Sequence, residues 1–100
     1  MIPSKRLFRA AVNGRGDIIK QVLACGADPD AAYSIGVGVR AIHWIVERRT
    51  QSAINGLRRL IAAGADVNAK TSGGRTPLGI ALECKNIKAI KILREAGAIE

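Results

Sequence analysis

The feature that most constrains this chain is a short segment that recurs along it. Gly-Ala-Asp occurs at residues 26–28 and again at 64–66, and Gly-Ala occurs once more at 97–98. The copies start 38 and then 33 residues apart. A regular period of this length is the signature of a repeat protein. We therefore predict one domain, residues 1–100, made of three consecutive repeats: about 4–31, about 32–69 and about 70–100.

Each repeat has the pattern of two helices, because apolar residues recur at helical spacing and glycine or polar turns separate the segments. The expected helix starts are Lys5 capped by Ser4, Asp17, Ala41 in a helix that continues to about Arg49, a start capped by Ser52, and Pro77 capped by Thr76. The last helix carries Ile87, Ala89, Ile90, Ile92 and Leu93 and stops at Gly97. The side chains expected to face inward include Ile19, Val22, Ile42, Ile45, Leu57, Leu60, Leu78, Leu82, Ile87 and Leu93. The predicted fold class is all-α.

Composition narrows the class of protein further. Apolar residues make up 48% of the chain and aromatic residues only 3%, so aliphatic side chains must fill the core. No apolar run approaches the ~18 to 20 residues that cross a membrane, and no stretch has the length of a signal peptide. Cys25 and Cys84 are too few and too far apart for a disulfide framework. We expect a soluble, cytoplasmic protein with reduced thiols that does not bind membranes.

The sequence also lacks any arrangement typical of catalysis. His43 is the single histidine, and neither cysteine lies at a metal-binding spacing from it. Gly36 and Gly38 do not form a phosphate-binding loop, because the rest of such a motif is missing. We predict that the protein is not an enzyme, has no cofactor and takes no small-molecule substrate.

The three repeats resemble the ankyrin repeat over essentially the whole chain. Residues 76–81, Thr-Pro-Leu-Gly-Ile-Ala, are similar to the family pattern Thr-Pro-Leu-His-x-Ala, and residues 64–69, Gly-Ala-Asp-Val-Asn-Ala, to the end of its repeat. The resemblance implies an ankyrin-repeat solenoid of three helix-turn-helix repeats joined by β-hairpin-like loops. It also implies that His43 makes hydrogen bonds within its turn.

Some positions depart from the family pattern. Arg94 stands where the first two repeats have Leu23 and Ile61, which predicts that the third repeat is a C-terminal cap on which nothing stacks. Lys85 stands where glycine normally turns the chain, and a left-handed backbone there would cost about 1 kcal/mol, unless Asn86 takes that conformation instead. Gly56 replaces an aliphatic residue and is expected to weaken its helix by about 1 kcal/mol.

The resemblance implies binding of another protein along a concave surface, as a small adaptor or inhibitor. We name residues 32–40 finger one and residues 70–75 finger two. The predicted contact residues are Tyr33, Ile35, Val37 and Val39 on finger one, Lys70, Ser72 and Arg75 on finger two, and Val12, Asn13, Glu47, Arg48, Glu83 and Cys84 at the ends of the first helices. Finger one is apolar and finger two is basic, so the expected partner has an acidic or a mixed apolar and acidic surface.

Other interpretations remain open at this point. Finger one could instead fold back on Trp44 and cover the core, although four alternating apolar residues exceed what one loop usually buries. It could also mediate self-association. The net charge of +8 supports a further alternative, a basic accessory factor that binds nucleic acid or an acidic surface. The second helices would present its basic ladder: Lys20, Arg58, Arg59, Lys88 and Lys91. The near absence of aromatic residues and of a nucleic-acid motif favours a protein partner.

Overall fold

The computed structural model describes residues 3–31 and 38–99, and six helices lie in these two ranges. In chain order they are α1 (Pro3–Val12), α2 (Gly16–Ala24), α3 (Ala41–Ile45), α4 (Gln51–Ala62), α5 (Pro77–Glu83) and α6 (Ile87–Glu95). No strand is assigned in this part of the chain, and none of its helices is long and apolar enough to cross a bilayer. The predicted all-α class is confirmed.

The helices form three hairpins that stack side by side. α1 packs on α2, α3 on α4, and α5 on α6. Between hairpins, α1 contacts α3 and α3 contacts α5, while α2 contacts α4 and α4 contacts α6. The fold therefore has a first-helix layer (α1, α3, α5) and a second-helix layer (α2, α4, α6). Among residues 3–31 and 38–99 the main contacts join each hairpin to its neighbours, as in a repeat array.

The core lies between the two layers and is aliphatic, as the composition predicts. Its largest fully buried side chains are Leu7, Ile19, Val22, Ile42, Ile45, Val46, Leu57, Leu60, Pro77, Leu78 and Leu93. Burial of each Leu or Ile contributes about 1.5–3 kcal/mol. The expectation that Leu82 and Ile87 face inward is wrong, because they are 37% and 72% exposed. Both belong to the third hairpin, where no further described helix covers them.

The helix starts show where local and tertiary interactions differ. Thr76 caps α5 and Pro77 occupies its first turn, as predicted. α4 is capped by Thr50 and not by Ser52. The hydroxyl of Ser52 instead accepts a hydrogen bond from the backbone N–H of Gly16, in the neighbouring hairpin, at 2.9 Å. The prediction of a Ser52 cap is wrong because a tertiary partner takes that oxygen.

Two helices also differ in length from the prediction. α1 begins at Pro3 rather than at Lys5, since proline suits the first turn, where its missing N–H costs nothing. α3 ends at Ile45 and does not continue to Arg49. The two backbone N–H groups after its C-cap bond to carbonyls three residues back, which tightens and ends the helix.

The turn between α5 and α6 joins the third hairpin to the second. Lys85 has a φ of +55°, the left-handed conformation expected at this position. Asn86 follows and is buried. Its Nδ2 donates to the carbonyl oxygens of Val46 and Arg48, both at 2.8 Å, and its Oδ1 accepts from the N–H of Ala89. One side chain therefore caps α6 and satisfies two carbonyls that follow α3.

The loops that follow the second helices are linked by one hydrogen bond repeated in register. Asp30 Oδ1 accepts from the N–H of Asp66 at 2.8 Å, and Asn68 Oδ1, at the equivalent position, accepts from the N–H of Ile99 at 2.8 Å. The guanidinium of Arg40 adds an ion pair with Asp30 at 3.2 Å. These bonds fix the spacing of successive repeats at their loop ends.

Glycines bring α2 and α4 close together. A Cβ atom on Gly16 would overlap the backbone carbonyl oxygen of Ser52, and one on Gly56 would lie 2.8 Å from Ile19 Cδ1 and 3.2 Å from the Cα of Gly16. The sequence predicts only a cost for Gly56. The structure shows what that cost permits, which is direct contact between two helix backbones.

We expect Gly16→Ala to lower the free energy of unfolding by about 1–3 kcal/mol, because the added methyl group must push α2 away from the α4 backbone. Urea unfolding followed by circular dichroism measures this loss. Gly73→Ala is the control, since the nearest atom to its added Cβ would be Thr71 Oγ1 at 3.8 Å. The control should stay within about 0.5 kcal/mol of the wild type. Equal stability of the two variants would contradict the close-contact explanation.

Candidate functional site

Two grooves open on the first-helix layer, and both are lined by Trp44. The first, which we name the finger groove, has a volume of about 280 Å³ and is lined by Val39, His43, Trp44, Glu47, Thr71, Ser72, Gly73, Arg75 and Ile80. The second, the α1–α3 groove, has a volume of about 380 Å³ and is lined by Lys5, Phe8, Arg9, Val12, Asn13 and Trp44. The indole ring is therefore a wall of both.

The Trp44 side chain is half-buried and packs against the hydrophobic core. Its Nε1 atom is buried and has no hydrogen-bond acceptor in the described part of the chain. Packing against the core holds the ring in place. The rest of the ring forms an apolar ridge between the two grooves.

Finger two is a closed turn that forms one wall of the finger groove. The N–H of Thr71 donates to the carbonyl of Arg75 at 3.0 Å, and the N–H of Arg75 returns a bond to Thr71 Oγ1 at 3.2 Å. Gly74 has a φ of +80°, and its N–H donates to the carbonyl of Thr71 at 2.8 Å. These three bonds position Ser72 and Gly73 at the edge of the groove.

The two grooves differ in whether their charged side chains form ion pairs. Arg75 in the finger groove forms an ion pair with Glu83 at 2.6 Å. Lys5 and Arg9 in the α1–α3 groove are exposed, and neither pairs with a carboxylate among residues 3–31 and 38–99. The α1–α3 groove therefore has positive charge available to a partner, whereas much of the charge of Arg75 is already balanced.

His43 lies in the lining of the finger groove and connects α3 to the loop before finger two. Its Nδ1 accepts a hydrogen bond from the N–H of Arg40 at 3.0 Å, so the proton lies on Nε2, which donates to the carbonyl of Ala69 at 2.8 Å. Burial lowers the pKa of His43 below its ordinary value of 6.5, although the bond to Ala69 acts in the opposite direction. The ring is thus neutral at pH 7. Its bond with Arg40 lies within its own turn, as the family resemblance implies, whereas its bond to Ala69 reaches a residue 26 positions away.

Some of the predicted contact residues lie together in the structure. The finger groove brings together Val39, Glu47, Ser72 and Arg75. Arg48 and Lys70 are exposed but line neither groove. Tyr33, Ile35 and Val37 lie outside the described residues, so the apolar strip on finger one stays a prediction.

The sequence prediction missed four of the six residues that line the α1–α3 groove. It includes Val12 and Asn13 but not Lys5, Phe8, Arg9 and Trp44. Residues 5, 9 and 13 are spaced four apart, which places them on one face of a helix. That spacing is the signal that could have found them.

The basic ladder is gathered in part on the second-helix layer. A groove of about 690 Å³ between α2 and α4 is lined by Gly16, Asp17, Lys20, Ser52, Asn55, Arg58, Arg59 and Ala62. Hydrogen bonds from Arg15 lower the pKa of Asp17, so this carboxylate stays ionised beside the cations. Lys88 and Lys91 are exposed on α6, outside this groove.

No group of three His, Cys, Asp or Glu side chains suited to a metal ion occurs within residues 3–31 and 38–99. Cys25 and Cys84, both in these ranges, are free thiols.

We expect His43 to make stability depend on pH. Its pKa is lower in the folded chain than in the unfolded chain, so the unfolded chain binds more protons once the pH drops below about 6.5. Stability is therefore complete above pH 6.5 and is lost as the pH falls from 6.5 towards the folded-state pKa, by at most about 1.4 kcal/mol per pH unit. Urea unfolding at pH 7.5, 6.5, 6.0 and 5.5 measures the slope.

His43→Gln is the matched variant, because glutamine is polar but does not titrate. It should be less stable than the wild type at pH 7.5, since at least one of the two backbone groups loses its partner, at a cost of about 1–3 kcal/mol. Its stability should be nearly flat over the same pH range. An equal slope in both proteins would show that another group causes the pH dependence.

Comparison with known proteins agrees with this architecture. Residues 7–99 match the protein family described as ankyrin repeats (3 copies). The chain is also 46% identical over 55 residues to the nuclear factor NF-kappa-B p105 subunit of Gallus gallus. That similarity covers 54% of this chain and 5% of the relative, so the chain spans only a small part of that protein. Because the family match extends over nearly the whole sequence, the chain belongs to the ankyrin-repeat family.

Proposed function

We propose that this chain is a non-catalytic interaction module that binds a partner protein through the first-helix layer, as an adaptor or an inhibitor. Ankyrin repeats are in general protein–protein interaction modules and are typically non-catalytic. The observation that carries the proposal is the pair of grooves that share Trp44. A large aromatic side chain at the centre of an apolar surface with polar groups around it is typical of binding hot spots.

The charges favour a partner segment that is both apolar and acidic. Phe8, Val12 and Trp44 supply apolar walls to the α1–α3 groove, and Lys5 and Arg9 supply the charge. A partner carboxylate at this groove would find cations that pair with no described carboxylate of the chain itself. We propose that an aliphatic or aromatic side chain of the partner contacts Trp44 and that its acidic neighbours face α1.

The apolar strip of finger one extends this proposed surface. Val39 lines the finger groove, and Tyr33, Ile35 and Val37 precede it in the same alternating segment. We propose that these side chains also contact the partner.

We expect Lys5→Glu with Arg9→Glu to weaken partner binding at least tenfold, about 1.4 kcal/mol, because the variant repels the acidic segment. A displayed library of random peptides is first selected on the wild-type protein, and enriched peptides should combine acidic with aromatic or aliphatic residues. Fluorescence anisotropy with one enriched peptide then gives the Kd of each variant.

The matched control makes the same change of charge on the opposite layer: Lys20→Glu with Lys91→Glu. It should alter the Kd less than threefold. If the control weakens binding as much as the α1 variant does, net charge and not the groove governs recognition, and the proposal fails. Tyr33→Ala with Val37→Ala tests finger one in the same assay, with circular dichroism to show that helix content is unchanged.

A second candidate function rests on the groove between α2 and α4. Lys20, Arg58 and Arg59 line it together, in a chain with a net charge of +8. Three cations around one groove favour an extended polyanion, either nucleic acid or an acidic protein surface.

On this second hypothesis, labelled duplex DNA of about 20 base pairs should bind at ~50 mM salt, with an affinity that falls steeply as salt is added. Lys20→Glu with Arg58→Glu and Lys91→Glu should abolish binding. Anisotropy titrations over a series of salt concentrations give the slope of the logarithm of affinity against the logarithm of salt concentration. The magnitude of this slope should decrease by about one for each phosphate contact that a single-site variant loses. No binding at low salt, or equal binding by the triple variant, would exclude nucleic acid as the partner.

A further inference from the structure

The outer side of the third hairpin, away from the second, has exposed apolar side chains. Aligned on the start of the first helix, Leu82 corresponds to Val46; aligned on the glycine that ends the second helix, Ile87 corresponds to Ile54. Val46 and Ile54 are 0% and 3% exposed, whereas Leu82 and Ile87 are 37% and 72% exposed. The third repeat thus keeps apolar residues at positions that the second repeat buries.

Three positions on α4 show which side of a second helix faces the next hairpin. Ile54, Arg58 and Ile61 lie at helical spacing and form one stripe. Arg58 and Ile61 line a groove of about 300 Å³, and its opposite wall is formed by Ile92 and Glu95 of α6 and by Ala96, which follows α6. Their stripe therefore faces the next hairpin. The same positions on α6 are Ile87, Lys91 and Arg94. A capping repeat has a polar outer face, so Arg94 alone does not make this repeat a cap.

We name Leu82, Ile87, Ile90 and Lys91 the end face, and we propose that the end face binds an amphipathic helix of a partner protein whose apolar stripe is bordered by carboxylates. The interface between α4 and α6 shows the chemistry: a cation and an isoleucine of α4 face an isoleucine and a glutamate of α6. Lys91 supplies the corresponding cation on the end face and pairs with no carboxylate among the described residues.

Charge also excludes a second copy of this chain as the occupant. Two end faces brought together would place Lys91 and Arg94 of one copy opposite those of the other, in proteins that each have a net charge of +8. Like charges across an interface oppose association. An acidic helix instead gains an ion pair from the same contact while its apolar stripe covers Ile87, and this surface is separate from the two grooves beside Trp44.

The test uses a labelled synthetic helix of about 18 residues with leucine at positions i, i+3, i+4 and i+7 and glutamate at the flanking positions. Its matched peptide has lysine in place of every glutamate. Two-dimensional ¹H–¹⁵N NMR should show that the glutamate peptide shifts the backbone amide signals of residues 82–94, and anisotropy should give at least tenfold weaker binding of the lysine peptide.

Ile87→Glu should weaken binding of the glutamate peptide at least tenfold. Ile99→Glu is the control, because Ile99 is 70% exposed and lies beyond the opposite end of α6. Arg6→Glu, a charge reversal at an exposed position of α1 that lines neither groove, should leave this binding unchanged, which separates the end face from the net charge of the chain. No shift of residues 82–94, equal affinity for the two peptides, equal effects of the two isoleucine variants, or a dimer that Ile87→Glu dissociates would each overturn the proposal.

Discussion

The contact between one hairpin and the next is the interaction on which the rest of this structure depends. Its helices are five to twelve residues long, and helices of that length are marginal in water on their own. Their stability must come from the apolar surface that stacking buries. Gly16 and Gly56 show how strongly this contact constrains the sequence, because each gives up helix propensity so that α2 and α4 can approach. The compensating free energy comes from the apolar side chains that are buried when α2 and α4 approach, Ile19 and Leu57 among them.

Apolar stacking alone would not fix the positions of the loops and helix ends around the finger groove, and buried polar side chains do that. His43 ties α3 to the loop that leads into finger two, and Asn86 ties the start of α6 to the end of α3. Each is at least 97% buried, with donors and acceptors matched to backbone groups. A buried polar group that loses its partner costs more free energy than its hydrogen bond contributes. His43 and Asn86 therefore favour the one arrangement of the hairpins in which their partners are in place. These hydrogen bonds consequently fix the positions of the elements that form the walls of the finger groove.

The fold was accessible from the sequence because recurrence is a property of the whole chain and survives local exceptions. The Thr76-Pro77 start was equally accessible, since its cause is local. Ser52 does not cap α4, because its hydroxyl bonds to a residue 36 positions away. A pattern read over neighbouring residues cannot predict such a distant partner. Ile87 failed as a core residue for a related reason: periodicity identifies an apolar stripe but not whether another element covers it. The α1–α3 groove depends on two helices from different repeats, so α1 alone reveals its charges but not its shape.

The surplus of positive charge is spread over both layers and the end of the stack, so charge by itself cannot give each surface a different partner. It raises the rate at which any acidic molecule reaches the protein. Discrimination must come from apolar shape, which differs between the surfaces. The grooves beside Trp44 have volumes of about 280 and 380 Å³, and they suit single side chains on an extended segment. The end face presents a stripe at helical spacing, which suits another helix. Two acidic partners that arrive equally fast would therefore be retained at different places, according to whether their apolar residues project singly or form a continuous stripe.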